Sequence, residues 1–278
     1  MSDKITTAVI REKKGRERIT ALTAYDTPMA ALLDEADIDI LLVGDSVGNV
    51  VLGYEDTLPV TMEEMLHHVK AVRRGSGRSL VVADMPFLSY GAGADKATSI
   101  MNAGRFLKEG GANAVKLEGG TGIAPLVAQM VEIGIPVMGH IGLQPQSINQ
   151  LGSYKARGRK RGEAEALLES ARALDEAGVF ALVLECIPRQ LAARITAAIR
   201  VPTIGIGSGE FCDGQILVTH DILGLGKNGV PRFVRRYLDI NSLMAAAVRE
   251  YASDVRRGGY PSPQEGYDMP ESELEGLR

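Results

Sequence analysis

Short apolar runs separated by helical segments most constrain what this 278-residue chain can fold into. The runs are rich in Val, Ile and Leu without strict polar alternation, which is typical of strands buried on both faces. A capping box at Thr61 and Glu64 and stops at Gly134 and Gly178 mark helices between them. The predicted strands cover residues 19–24, 40–44, 79–83, 112–117, 135–139, 179–184, 201–205 and 215–219.

About eight strand–helix repeats in roughly 250 residues favour an α/β fold, a (β/α)8 TIM barrel of parallel strands. An open doubly wound sheet is the alternative. We assign residues 1–278 to a single barrel domain. An N-terminal capping helix at about residues 3–14 is predicted to cover the bottom of the barrel, and a C-terminal tail occupies about residues 258–278.

Charge and cysteine content exclude several classes of function. The chain has 31 Lys plus Arg against 35 Asp plus Glu, a net charge of −4, and no basic block, so we expect no nucleic-acid partner. It has neither an apolar run of the ~18 residues that a membrane span needs nor a signal peptide at its start. Two cysteines, Cys186 and Cys212, cannot form a disulfide framework. These features predict a cytoplasmic protein without a membrane partner.

Ionisable residues follow five of the apolar runs. The C-terminal strand ends of a barrel surround its active site, so these side chains would converge on one mouth. A single acid after a strand is usually a helix cap or a solvated loop residue, and only the set indicates function. The five residues are Asp45, Asp84, Glu118, His140 and Glu185.

Carboxylates crowded in one dry mouth require a compensating charge, which a divalent cation would supply. Oxygen ligands of this kind suit Mg²⁺, which keeps several waters and takes few carboxylates. Lys116 precedes Glu118 by two residues, and the period of a strand puts both on one face. Lys116 therefore either pairs with the acids or binds an anionic substrate.

Two further motifs have competing interpretations. Ser46 lies in G-D-S-V-G, which formally matches a nucleophile elbow, but Asp45 before it is better used on a metal, which disfavours a serine hydrolase. The glycine-rich segment IGIGSG, residues 204–209, falls at about the seventh strand, where barrels often bind phosphate. Glycines in such a segment also permit close backbone packing.

Seven segments in order make this sequence similar to the ketopantoate hydroxymethyltransferase family, from about residue 4 to about residue 266. GDS alone also suits the wider phosphoenolpyruvate-dependent barrels, whereas the whole set is specific to this family. Asp37 and Leu88 stand where glycine is common in the family. The segments are TAYD (23–26), LLVGDSVGNVVLGYEDTLPVTMEEMLHH (41–68), DMPFLSY (84–90), AVKLEGG (114–120), GHIGLQPQS (139–147), LVLECIP (182–188) and IGIGSGEFCDGQILVTHDILGL (204–225).

The resemblance implies an enzyme of pantothenate and coenzyme A biosynthesis. It implies transfer of a hydroxymethyl group from 5,10-methylenetetrahydrofolate to 3-methyl-2-oxobutanoate, giving ketopantoate (2-dehydropantoate) and tetrahydrofolate through an enolate that Mg²⁺ stabilises. It also implies one Mg²⁺ per subunit and a homo-oligomer, commonly a decamer. The alternatives are an Mg²⁺-dependent barrel of the phosphoenolpyruvate mutase or lyase kind, and an inactive barrel that serves as a scaffold.

The resemblance also assigns roles to individual positions. Glu185 matches the catalytic proton acceptor, and His140 is expected to order the mouth without an assigned proton transfer. The positions matching metal-associated acids are Asp45, Asp84 and Glu118. The positions matching ketoacid contacts are Asp45, Ser46, Asp84 and Lys116.

Overall fold

Eight parallel strands close into a barrel in chain order, with β1 paired to both β2 and β8. The structure is a computed structural model that describes residues 4–153, 155–226 and 229–277. The closed sheet confirms the predicted (β/α)8 barrel and excludes the open doubly wound sheet. The strands are β1 (Ile19–Thr23), β2 (Ile40–Val43), β3 (Leu80–Asp84), β4 (Ala114–Glu118), β5 (Val137–Gly142), β6 (Ala181–Glu185), β7 (Thr203–Ile206) and β8 (Gly214–Leu217).

A helix lies between most successive strands, as the repeat predicted. The exception is the connection from β7 to β8, where residues 207–213 are irregular. Short helical turns also follow β2, as a π-helix at Gly48–Leu52, and β5, at Pro145–Ser147. The α-helices are α1 (Thr7–Glu12), α2 (Thr27–Glu35), α3 (Met62–Gly75), α4 (Lys96–Lys108), α5 (Ala124–Glu132), α6 (Ile148–Leu151), α7 (Arg161–Glu176), α8 (Arg189–Ala198), α9 (Thr219–Leu223), α10 (Ile240–Arg257) and α11 (Glu271–Leu274).

Local sequence signals explain where these helices begin and end. At α3 the Thr61 hydroxyl accepts from the Glu64 backbone N–H while the Glu64 carboxylate accepts from that of Thr61, which confirms the predicted capping box. Gly134 and Gly178, just beyond α5 and α7, have φ of 88° and 91°. This left-handed conformation favours glycine and stops both helices.

Three described residues without glycine's freedom also have left-handed backbone, and Cys186, with φ of 48°, is one of them. Asp37 has φ of 58° and Leu88 has φ of 62°. Asp37 and Leu88 are the two positions named above at which the resemblance leads us to expect glycine, and this conformation gives a physical reason for that expectation.

The strands are buried on both faces because two apolar clusters lie on opposite sides of the sheet. Along β2, Ile40 and Leu42 face the barrel interior, while Leu41 and Val43 pack with the outer helices. The same alternation along β3 and β4 explains why the runs are continuously apolar in sequence. The inner cluster comprises Ile10, Ile19, Ala21, Ile40, Leu42, Leu80, Val82, Ala114, Met138, Phe180, Ala181, Val183, Ile204 and Ile216.

The predicted N-terminal capping helix is confirmed as α1. Its Ile10 is fully buried within the inner cluster. Just after α1, Lys13 Nζ lies 2.7 Å from Asp39 Oδ1 and Lys14 Nζ lies 3.1 Å from Asp213 Oδ2. Both acids directly precede a strand, so these contacts close the end of the barrel opposite the strand C-termini.

The chain divides into two compact units. The described residues of Met1–Thr219 and Val230–Val234 form the first unit, which holds the barrel, and those of His220–Gly229 and Arg235–Arg278 form the second. The single-domain assignment stays a prediction. Across the described ranges, no helix combines the length and the apolar character that crossing a membrane requires.

Candidate active site

The predicted ionisable residues lie at the C-terminal mouth of the barrel. Asp84, Glu118 and Glu185 are the last residues of β3, β4 and β6, and His140 lies within β5. Each continues, at period two, a series of side chains that faces the barrel interior, such as Leu80 and Val82 before Asp84. Their roles as ligands, substrate contacts and base remain predictions.

Lys116 and Asp84 form a buried ion pair at the centre of the mouth. Asp84 on β3 and Lys116 on β4 are paired in the sheet register. Lys116 Nζ lies 2.6 Å from each carboxylate oxygen of Asp84. Burial alone would lower the pKa of Lys116, but the charges of Asp84, Glu118 and Asp45 raise it above its ordinary value. Lys116 is therefore a permanent cation, and the period-two prediction that it shares a face with Glu118 is confirmed.

Asp45 lies two residues beyond the end of β2 and is 5% exposed. Its backbone N–H donates to Asp84 Oδ2 at 3.4 Å, and its Oδ2 accepts from Gln146 Nε2 at 2.9 Å. Burial, followed by the charges of Asp84 and Glu118, raises the pKa of Asp45 to about 8. Burial of the carboxyl is the main cause, and the two neighbouring carboxylates add to it.

His140 links two carboxylates. Its Nδ1 lies 3.4 Å from Glu118 Oε1 and its Nε2 lies 3.2 Å from Glu185 Oε2. Both contacts have ion-pair distances without the alignment of hydrogen bonds. Burial would lower the pKa of His140, but the contacts with Glu118 and Glu185 outweigh it and raise the pKa to about 9. His140 therefore carries a positive charge near neutral pH.

Ser46 is half-buried beside the cluster. Its hydroxyl lies 2.8 Å from the hydroxyl of Tyr25, which follows β1. A tyrosine in this position is not the histidine base that a serine nucleophile needs. The geometry agrees with the argument against a serine hydrolase.

Two residues that the sequence reasoning did not single out complete the cluster. Gln146 follows β5 and Tyr90 follows β3, and both are buried. Tyr90 Oη donates to Gln146 Oε1 and accepts from the backbone N–H of Glu118. Both lie inside segments quoted for the family resemblance, but no periodic pattern marks them, because they belong to loops.

The glycines of residues 204–209 are explained by packing. A β-carbon at Gly209 would lie 2.5 Å from Cβ of Arg189, and one at Gly207 would lie 2.8 Å from the ring of Phe233. Gly207 and Gly209 have φ of 65° and 80°. Of the two interpretations of this segment, close backbone packing is the one that the geometry supports.

The side chains at the mouth show whether their oxygen donors suit a magnesium ion. Within the described part of the chain, no group of three or more His, Cys, Asp or Glu side chains has metal-binding geometry. The chemistry of the donors nevertheless fits, because Mg²⁺ takes one or two carboxylates and fills its remaining positions with water. Asp45, held near Asp84 and short of positive neighbours, meets that description.

Comparisons with known proteins place these features in context. The sequence profile of the family described as ketopantoate hydroxymethyltransferase matches residues 4–263. A 3-methyl-2-oxobutanoate hydroxymethyltransferase of Carboxydothermus hydrogenoformans is 56% identical over 274 residues, 98% of this chain and 99% of that protein. One from Dehalococcoides mccartyi is 52% identical over 266 residues, 96% of this chain and 95% of that protein.

Solved structures at low sequence identity share the fold. A putative phosphonomutase from Burkholderia cenocepacia superposes with a TM-score of 0.63 at 17% identity, covering 88% of this chain and 99% of that chain. A phosphoenolpyruvate phosphomutase from Streptomyces platensis subsp. rosaceus gives 0.61 at 13% identity, covering 97% and 93%. At these identities the likeness concerns the architecture alone.

Proposed function

This chain belongs to the ketopantoate hydroxymethyltransferase family, and from that premise we propose that it transfers a hydroxymethyl group from 5,10-methylenetetrahydrofolate to 3-methyl-2-oxobutanoate. The products are ketopantoate and tetrahydrofolate, in pantothenate and coenzyme A biosynthesis. The observation that carries the proposal is the convergence of Glu185 with the buried Lys116–Asp84 pair at one mouth. That arrangement offers a base and a cation to an anionic ketoacid.

Lys116 and Ser46 serve the carboxylate end of the ketoacid in this proposal. Lys116, paired with Asp84, supplies a positive charge, and Ser46, whose hydroxyl contacts that of Tyr25, supplies a hydroxyl. Asp45, Asp84 and Glu118 would hold one Mg²⁺. When bound, the ion supplies positive charge next to the ketoacid oxygen on which negative charge develops.

Glu185 acts as the base. Its side chain is 15% exposed, whereas those of Asp84 and Glu118 are 2% and 4% exposed, so it is the acid most open to a substrate. A carboxylate oxygen of Glu185 takes the proton from C3 of the ketoacid, and the electron pair of that C–H bond enters the enolate. C3 then forms a bond to the methylene carbon of the folate, and water supplies the oxygen of the new hydroxymethyl group. Both C–N bonds of the methylene break, the proton held by Glu185 and one from water go to the two folate nitrogens, and tetrahydrofolate leaves. His140 holds the other side of the Glu185 carboxylate.

The phosphoenolpyruvate mutase or lyase alternative needs a reactive cysteine or a phosphate clamp at the mouth. Cys186 follows Glu185 but is 9% exposed, and burial together with the Glu185 charge raises its pKa to about 12. Such a thiol is a poor nucleophile. The packing of residues 204–209 likewise favours no phosphate site.

We also propose a cytoplasmic homo-oligomer, with the decamer of the family as its form. The exposed apolar side chains along one helix, α10, support an assembled state because such a surface favours burial against another copy. The two cysteines are free and buried, which agrees with a reducing compartment. The apolar side chains are Leu243, Met244, Val248, Tyr251 and Val255.

A single assay tests the proposed reaction. Purified protein is incubated with 3-methyl-2-oxobutanoate, 5,10-methylenetetrahydrofolate and Mg²⁺, and ketopantoate is measured by mass spectrometry. We expect product that requires both the folate and the metal, and that disappears on chelation. Turnover of a phosphonate or phosphoenolpyruvate substrate without any ketopantoate would contradict the proposal and favour the alternative.

A further inference from the structure

Gln146 connects the ends of three strands from the turn that follows β5. It is 6% exposed. Its Nε2 donates to Asp45 Oδ2 and to the backbone carbonyl of Met85, each at 2.9 Å. Its backbone N–H donates to Glu118 Oε2 at 3.1 Å. One residue thereby holds two of the carboxylates proposed for the metal, and both donors are neutral.

The orientation of the Gln146 amide is determined by its surroundings. Its Oε1 lies 3.0 Å from the hydroxyl of Tyr90, which can donate. Turning the amide over would place Oε1 against Asp45 Oδ2 and the Met85 carbonyl, so that two donor contacts would become two contacts between acceptors. Only one orientation satisfies all three partners.

Tyr90 fixes this amide to the strand that bears Glu118. Its hydroxyl accepts from the Glu118 N–H at 2.9 Å and has two acceptors, Gln146 Oε1 and the Glu118 carbonyl, for its one proton. The backbone of Glu118 and its carboxylate are therefore held by two residues that also hold each other. Buried polar groups that hydrogen-bond one another in this way make a rigid arrangement.

We propose that Gln146 is a positioning residue for the metal-binding carboxylates, setting Asp45 and Glu118 relative to each other, and that Tyr90 orients it. This inference rests on the proposed function, because it concerns the acids assigned there to Mg²⁺. The amide contacts only Oδ2 of Asp45 and brings no charge of its own, so the other oxygen of Asp45 is left to a cation.

Substitution of Gln146 tests the proposal. Gln146→Met keeps the size of the side chain and removes its hydrogen bonds. We expect Mg²⁺ affinity, measured by calorimetry on metal-free protein, to fall roughly 10- to 100-fold, the range for partners that orient metal ligands. Gln146→Glu keeps the shape but turns the donor into an acceptor, and we expect a larger loss. Wild-type Mg²⁺ affinity in folded Gln146→Met would overturn the inference.

Tyr90→Phe tests the orienting role. Since Tyr90 acts through Gln146, its substitution should weaken Mg²⁺ binding less than Gln146→Met, and the double variant should lose less than the product of the two effects. Tyr54→Phe is the matched control, because Tyr54 donates its hydroxyl to Glu64 on α3, outside the cluster. Full additivity would contradict a Tyr90 role exerted through Gln146.

A further measurement separates this inference from the proposed function. Side-chain amide protons of Gln146, observed by NMR with ¹⁵N-glutamine in metal-free wild-type protein, should exchange with solvent far more slowly than those of exposed Gln264. Equal exchange rates would overturn the inference whatever the enzyme does. Slow exchange in a protein that binds Mg²⁺, with weaker binding in Gln146→Met, but forms no ketopantoate would refute the proposed function alone.

Discussion

The Nε2 atom of His140 lies 3.2 Å from Oε2 of Glu185, the carboxylate proposed to remove a proton from the ketoacid. The other imidazole nitrogen lies 3.4 Å from Glu118 Oε1. The base is therefore tied, through one buried ring, to a residue of the proposed metal site. The proposed base, Glu185, and the proposed metal ligand Glu118 are consequently fixed relative to each other by His140.

Replacement of Glu185 by Gln should abolish proton removal. We expect exchange of the C3 hydrogen of 3-methyl-2-oxobutanoate with D₂O, followed by NMR without folate, to slow by at least about 100-fold, since a positioned base contributes about 10²–10⁴. Ketoacid binding should persist. Glu176→Gln, on the exposed surface of α7, is the control. Undiminished exchange in Glu185→Gln would remove Glu185 from the role of base.

Replacement of Lys116 by Ala should affect both binding and folding. The ketoacid KM should rise, because the fixed positive charge at the mouth is lost. Asp84, 1% exposed, would lose its only salt-bridge partner among the described residues, and breaking such a pair costs about 3–5 kcal/mol. Steady-state kinetics and urea unfolding measure the two effects, with exposed Lys108→Ala as control. An unchanged KM would place Lys116 outside the substrate site.

Replacement of Asp84 by Asn should weaken the response to metal. We expect the Mg²⁺ concentration for half-maximal activity to rise by at least about tenfold, the loss typical of even an outer partner of a metal ligand. Calorimetric titration of metal-free protein checks the same change without turnover. Asp254→Asn in α10 serves for comparison. Equal Mg²⁺ affinity in the Asp84 variant and the wild type would argue against ligation.

The lowered pKa of Asp34 predicts that the stability of the protein depends on pH, independently of the residues at the barrel mouth. Burial would raise its pKa, but hydrogen bonds from the backbone N–H groups of Ser79, Gly77 and Arg78 lower it overall. Its contribution is therefore present above the unfolded pKa of about 3.9 and is lost as the pH falls through the lower folded value. Asp34→Ala should cost about 2–3 kcal/mol at pH 7.

Urea unfolding at several pH values tests this assignment. The difference in unfolding free energy between the wild type and Asp34→Ala should shrink below about pH 4, where the unfolded carboxyl becomes protonated. Glu35→Ala, at the neighbouring exposed position, should show no such trend. A difference that is constant down to acid pH would refute the lowered pKa of Asp34.

Substitution of Asp37 tests whether its left-handed backbone conformation is strained. Asp37→Gly should stabilise the protein by about 0.5–1 kcal/mol, and Asp37→Ala should destabilise it, because only glycine adopts φ of 58° without steric cost. The Asp37–Arg78 ion pair lost in both variants is 3.6 Å long with a highly exposed carboxylate, so it contributes little. Thermal unfolding ranks the wild type and the two variants by Tm. A higher Tm for Asp37→Ala than for Asp37→Gly would contradict the argument from the backbone conformation.

The barrel and most of its mouth were predictable because burial on two faces leaves a direct trace in sequence. Runs such as that before Asp84 are apolar until the strand reaches the mouth, where the first charged residue appears. Strands β3, β4 and β6 each end one residue later than predicted, so that Asp84, Glu118 and Glu185 are their last residues. The missing helix between β7 and β8 was not predicted, since glycine-rich segments do not reveal which connection they make.

The contacts that organise the mouth were less accessible from sequence. Gln146 and Tyr90 are 56 positions apart, in loops without periodicity, and only the closed sheet brings them together. Helix α10, in contrast, leaves a clear pattern in the sequence. Apolar residues recur there at helical spacing, at Met244, Val248, Tyr251 and Val255, and Gly258 follows with φ of 70°. This spacing and the following glycine are typical of an amphipathic helix and its end.

The contact between Lys14 and Asp213 joins positions 199 residues apart. Contacts of such long sequence separation close a large loop, which makes them costly to form early in folding. Interactions absent from the transition state slow unfolding without accelerating folding. We expect the Lys14–Asp213 contact to be absent from the folding transition state, so that Lys14→Ala shortens the lifetime of the native barrel and leaves its rate of formation unchanged, as unfolding and refolding kinetics in urea would measure.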